Sequence, residues 1–253
     1  MINPNLDFVK NILDQKQNFN ILAVGDSITS AEWVHPNFRD ILEYVVKEIL
    51  IGFASEEKSS WSIPAWGIRF INCGYDGITS KELLDRLDTH VLKYSPDMTI
   101  LMVGSNDLDF NISPEESFEF LNKITSQLRK KTSKIIFVSN PPSTNKVFNN
   151  KYEKYLTAYR DFFKSYGVEY VDLFNLMKRF DLNKFYTFES QGNPDMGLKA
   201  GDTDWAHPNM LGNCYIAHIL LKEIFGIRFN PDQYLKELLE GKMIPKFDSA
   251  LVV

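Results

Sequence analysis

The apolar run Ile21-Leu22-Ala23-Val24 leads directly into Gly25-Asp26-Ser27-Ile28-Thr29, and far downstream lies Asp204-Trp205-Ala206-His207-Pro208-Asn209. A serine hydroxyl at the end of a buried strand is held rigidly at the rim of a sheet. An aspartate three residues before a histidine reaches its ring within one turn. The pairing proposes a serine hydrolase in the chain order Ser27, Asp204, His207. Of the four histidines, His207 alone has an aspartate three residues before it. His35 falls in a loop and His90 near a helix end, while His218 lies about 16 Å of helical rise beyond His207, too far to share a site.

Acyl transfer also needs hydrogen-bond donors where the tetrahedral oxyanion develops. Two further strand ends offer them. In Asn72-Cys73-Gly74-Tyr75-Asp76-Gly77-Ile78-Thr79 the two glycines can present a bare backbone amide, and in Gly104-Ser105-Asn106-Asp107 an asparagine side chain can donate. Each residue has an ordinary structural use as well: a turn at Gly77, a loop cap at Asn106, a helix N-cap at Asp204.

The elements that must position these residues are legible as an alternation. Short apolar runs rich in branched side chains at residues 19–24, 68–72, 98–103, 134–139 and 168–173 read as buried parallel strands. Helical patterns fall between and after them, at 38–50, 80–93, 114–131, 147–166 and 208–225. Ser113, Pro114 and Glu116 form a capping-box pattern, and Gly167 and Gly226 stand where helices should stop. The expected fold class is α/β, a three-layer α/β/α sandwich around a mostly parallel five-stranded sheet. With 253 residues, 44% of them hydrophobic and 13% aromatic, one domain over 1–253 can bury a large core. Its catalytic body is expected at about 19–228, with the tail 229–253 packed on it as an amphipathic helix presenting Tyr234, Leu235, Leu238 and Leu239.

Segments 52–67, with Trp61 and Trp66, and 183–204, with three glycines, resist regular assignment; the second runs straight into Asp204 and is a candidate substrate wall. A net charge of −5 gives no footprint for nucleic acid. No apolar stretch approaches the ~20 residues that span a bilayer, and no secretory signal opens the chain, so a cytoplasmic protein without a membrane partner is expected. Cys73 and Cys214 lack metal or redox spacing and are expected as buried thiols.

The Gly-x-Ser-x-Gly elbow of α/β-hydrolases is absent around Ser27. Instead GDSIT at 25–29, GITS at 77–80, GSND at 104–107 and DTDWAHPN at 202–209, in this order, resemble the SGNH (GDSL-type) hydrolase family. The resemblance implies a flavodoxin-like sandwich that hydrolyses carboxylic esters without cofactor or metal. By it Ser27 is the nucleophile, His207 the base and Asp204 its orienter, with the oxyanion held by the amides of Ser27 and Gly77 and the Asn106 side chain. Asp26, Trp33 and Trp205 are the candidate substrate contacts, and Asp76 and Asp107 are expected to brace loops. The tryptophans suit sugar faces, which favours an acetylated carbohydrate or another small-acyl ester as substrate. Three other readings remain: an O-acyltransferase with the same serine, a metallophosphoesterase using Asp26, Asn106, Asp107, Asp204 and His207, and a silent carbohydrate-binding protein.

Overall fold

The computed structural model describes residues 3–15, 18–54, 64–132, 134–241 and 251–252. Along the chain run α1 (Pro4–Gln15), β1 (Phe19–Gly25), α2 (Phe38–Ala54), β2 (Ile68–Gly74), α3 (Ser80–His90), β3 (Met98–Met102), α4 (Ser105–Asp109), α5 (Pro114–Leu128) and β4 (Lys134–Val138). They are followed by α6 (Lys146–Ser165), β5 (Glu169–Val171), α7 (Leu173–Met177), β6 (Glu189–Asn193), β7 (Leu198–Thr203), α8 (Met210–Phe225), β8 (Ile227–Arg228), α9 (Pro231–Leu239) and β9 (Leu251–Val252).

Strands β1 to β5 form one parallel sheet in the order β2-β1-β3-β4-β5. This is the doubly wound flavodoxin-like order, whose direction of winding reverses between β1 and β3. Side chains alternate across a strand, so β1 sends Phe19 and Ile21 to one face and Leu22 and Val24 to the other. The first face is covered by α1, α2 and α8, through Leu6, Val9, Ile41, Val45, Ile216 and Leu220. The second is covered by α3, α5 and α6, through Leu83, Leu121, Tyr152 and Phe163. The central strands β1, β3 and β4 are buried on both faces, which is why they read as continuous apolar runs, whereas the edge strand β2 leaves Arg69 and Asn72 exposed.

The expected punctuation holds. Ser113 and Glu116 close a capping box on α5, and Gly167 and Gly226 adopt left-handed conformations after α6 and α8. Four details differ from the sequence reading. Helix α1 lies upstream of the expected catalytic body yet buries Leu6 and Val9 in the same core. Helix α8 begins at Met210 rather than 208, because Asn209 takes the N-cap and accepts from the Gly212 amide at 3.0 Å. The stretch 183–204 holds the antiparallel hairpin β6–β7. In α9, Tyr234, Leu235 and Leu238 pack on the core, whereas Leu239 is 70% exposed; 100° per residue carries it past the buried stripe. Trp61 lies outside the described residues, and Trp66 is exposed. Both cysteines are free and buried, and burial pushes each thiol up to about 12.

Candidate active site

In an open parallel sheet, ligands sit beyond the carboxyl ends of the strands at the point where the winding reverses. Ser27 follows β1 and Asn106 follows β3, so the two straddle that point. The turn carrying Ser27 is closed by the Thr29 and Ser30 amides, both donating to the Asp26 carbonyl at 3.0 Å. Gly25 is required beneath it: a Cβ there would stand 2.2 Å from Thr29 Oγ1 and 2.4 Å from the Met102 carbonyl oxygen.

Asp26 was expected at the substrate surface and is instead 1% exposed. One carboxylate oxygen accepts from the Ile28 amide at 3.1 Å, the other from Ser105 Oγ at 2.8 Å and Asn140 Nδ2 at 2.6 Å. It thereby ties together the ends of β1, β3 and β4. Burial raises its affinity for a proton, against the opposing effect of these donors and of His207. The sequence reading missed Ser105 and Asn140; no spacing rule links them to Asp26, since the contacts arise only once the strands are paired.

His207 sits between the hairpin and α8. The Asp204 amide donates to the Phe188 carbonyl at 2.7 Å, and the Asn209 amide to the Phe185 carbonyl at 2.6 Å, which pins the turn at both ends. Asn213, on the first turn of α8, donates to the Pro208 carbonyl and accepts from the Phe38 amide, each at 3.0 Å. Within the turn, Asp204 Oδ1 accepts from the amides of Ala206 and His207 at 2.7 and 3.1 Å. Oδ2 lies 2.6 Å from His207 Nδ1, and His207 Nε2 lies 3.0 Å from Ser27 Oγ. Burial pushes the Asp204 carboxyl up, but the His207 hydrogen bond and charge, with the two amides, hold it below the usual carboxylate range. In a neutral imidazole, an ionised Asp204 makes Nδ1 the protonated nitrogen and leaves the Nε2 lone pair facing Ser27.

Gly77 is exposed with φ +69°, a left-handed conformation that leaves nothing within 4 Å of the position a side chain would take. Among the described residues the amides of Ser27 and Gly77 find no acceptor. Asn106 Nδ2 spends one hydrogen on the Ile78 carbonyl at 3.0 Å, which orients the amide and leaves its second hydrogen available. Asp107 braces from beneath, as expected: fully buried, it accepts from the Ser80 amide at 2.7 Å, from Ser80 Oγ at 2.5 Å and from Ser117, which in turn contacts Tyr159.

Among the described residues, two cavities have His207 in their walls. A narrow one of ≈60 Å³ is lined by Ser27, Asn106, Asn140, Phe148, Trp205 and His207 among others. A wider one of ≈450 Å³ lies between Trp33 and the β6–β7 hairpin, with Asp204 and His207 in its wall. Trp33 and Trp205 thus fall in different cavities, while Trp66 lines neither. Of the remaining histidines, His35 pairs with Asp40 at 3.2 Å, His90 packs edge-on against Tyr75, and His218 Nδ1 contacts the Phe229 carbonyl at 2.5 Å. Among the described residues no three His, Cys, Asp or Glu side chains gather as a metal-binding group, and no helix is long and apolar enough to cross a membrane.

A parallel sheet covered by helices on both faces, with a strand-end serine beside a hydrogen-bonded histidine, is an arrangement suited to ester hydrolysis. The model of the GDSL-like lipase/acylhydrolase family matches residues 23–213, and the chain belongs to that family. The structure resembles LAE5, an α/β hydrolase enzyme from the metagenome of Lake Arreo, Spain, with a TM-score of 0.60 at 18% identity, covering 81% of this chain and 94% of that one. It resembles Axe2, an acetylxylan esterase from Geobacillus stearothermophilus, with a TM-score of 0.60 at 17% identity over 81% and 94% of the two chains. The acetyl xylan esterase AlAXEase gives 0.61 at 18% identity over 82% and 100%. At these identities the likeness is one of fold. No curated protein matches the chain significantly in sequence.

Proposed function

We propose that this esterase removes short acyl groups, acetyl foremost, from a carbohydrate, using Ser27, His207 and Asp204 as a catalytic triad. The observation that carries the reading is the continuous relay from Asp204 through His207 to Ser27, at 2.6 and 3.0 Å. In this reading Ser27 Oγ attacks the ester carbonyl as His207 Nε2 takes its proton. The oxyanion forms toward the Ser27 and Gly77 amides and the free hydrogen of Asn106. Collapse expels the alcohol, which takes the proton back from His207. Water, deprotonated by the same nitrogen, then releases the acyl group from Ser27 as a carboxylic acid.

The unequal cavities support this substrate class. The small space of ≈60 Å³ beside Ser27 and Asn106 suits a short acyl group such as acetyl. The bulk of the substrate then belongs in the ≈450 Å³ cavity, where His207 can protonate the leaving oxygen and Trp33 offers an aromatic face for a sugar ring. Two acetylxylan esterases among the structures of like fold fit this class.

The test is a series of p-nitrophenyl esters from acetyl to octanoyl, with acetate release from acetylated xylo-oligosaccharides measured alongside. Turnover should be highest for acetyl and fall steeply beyond butyryl, and Ser27→Ala should abolish acetate release. Equal kcat/KM for octanoyl and acetyl esters would refute the short-acyl assignment.

A further inference from the structure

The indole of Trp33 lies flat against His207, with ring centroids 4.1 Å apart and planes 10° from parallel. Trp33 is 46% exposed, so this position is not imposed by burial in the core. Its Nε1 donates to Asp76 Oδ2 at 3.1 Å, and Asp76 Oδ1 accepts from Ser30 Oγ at 2.5 Å. Asp76 is the residue before Gly77, and Ser30 closes the turn that presents Ser27. One carboxylate therefore touches the serine turn, belongs to the loop bearing the Gly77 amide, and anchors the ring stacked on His207.

We infer that Trp33 and Asp76 are positioning residues, a brace that holds the plane of the His207 ring in register with the Ser27 turn and the Gly77 loop. The inference rests on the proposed role of His207 as base. The hydrogen bond to Asp204 fixes one edge of the imidazole but leaves the ring free to tilt about that bond. A flat plate at stacking distance removes the tilt, and its tether to Asp76 makes the same loop that offers the oxyanion donor set the plate's position. The groups facing the imidazole are Asp204 at Nδ1, Ser27 at Nε2 and Trp33 on its face, with the buried Asp26 carboxyl behind the serine turn. Glu32 also hydrogen-bonds Asp76, and that bond raises its carboxyl above the ordinary range.

The brace makes a kinetic claim different from that of a substrate wall. A residue that only binds substrate changes KM, whereas one that aligns the base changes kcat. The experiment is steady-state hydrolysis of p-nitrophenyl acetate, a small substrate, by Trp33→Ala, Trp33→Phe, Asp76→Ala and the double variant Trp33→Ala/Asp76→Ala, with Ser27→Ala as control and circular dichroism confirming the fold of each. Trp33→Ala should lower kcat by about tenfold or more while KM stays within about twofold, since small misalignments of a catalytic group have effects of this order. Trp33→Phe, which keeps a stacking face but lacks the N–H that donates to Asp76, should recover only part of the loss. The double variant should be no worse than the poorer single one, as expected for two residues acting through one device. A raised KM at unchanged kcat, unchanged kinetics in Trp33→Ala, or strictly multiplicative losses would overturn the brace. Should Ser27→Ala retain turnover, the triad itself would fail; loss in Ser27→Ala with intact Trp33→Ala kinetics would remove the brace alone.

Discussion

Two aspartate environments within one site behave in opposite ways. Asp204 stands at the rim with an imidazole as its partner and is held below the usual carboxylate range. Asp26 and Asp107 lie beneath the strand ends, among hydroxyls and amides, and burial raises both. Neutral donors satisfy a buried carboxylate without supplying an opposite charge, so desolvation dominates. A partner that can become cationic reverses the balance. The same side chain can thus fasten strand ends together in one place and, in the proposed mechanism, support a developing imidazolium in the other.

The contrast breaks most sharply at Asp204. Asp204→Asn keeps the shape but can turn its amide nitrogen toward Nδ1, favouring the wrong tautomer of His207. We expect kcat on p-nitrophenyl acetate to fall by about four orders of magnitude. A loss of less than tenfold would show that Asp204 does not tune the ring. Next in size, Asn106→Ala should lower kcat by about 10²–10³ with little change in KM, because it removes one proposed oxyanion donor. A purely raised KM would move Asn106 from the transition state to substrate binding.

The buried side of the contrast is read through stability rather than rate. Because the folded-state affinity of Asp107 for a proton is raised, its stabilising contribution is fully present below the unfolded value of about 3.9 and is lost as pH rises through the folded one. Asp107→Asn can keep the Ser80 amide bond and donate to the serine hydroxyls, and it cannot ionise. Its stability relative to wild type should therefore rise as pH increases above about 4, as measured by urea denaturation. A difference independent of pH would mean that the folded-state proton affinity of Asp107 is not raised.

How much of this was legible in the sequence follows from what each part depends on. The central strands were visible because burial on both faces leaves uninterrupted apolar runs. Ser27, Gly77 and Asn106 stood out as candidates because each lies just beyond a strand run, and Asp204 and His207 because the aspartate stands three residues before the histidine, ahead of the apolar run of α8. The hairpin was not visible. Its strands, Glu-Ser-Gln-Gly-Asn and Leu-Lys-Ala-Gly-Asp-Thr, bury only Leu198, so they carry neither period two nor an apolar face. Helix α1 shows Leu6, Val9 and Pro4 at its first position, but one short stripe gives a weak signal. The placement of Asp26 was misread because its partners, Ser105 and Asn140, stand beside it only through sheet pairing. The stacking of Trp33 on His207 depends equally on tertiary closure, and sequence could suggest only that an aromatic lay near the serine.

The most direct test of the central claim is the mass of the intact, folded protein after exposure to a phosphonofluoridate serine probe. The account predicts one adduct, located on Ser27 and absent from Ser27→Ala. An unlabelled wild-type protein, or an adduct that persists in Ser27→Ala, would contradict it.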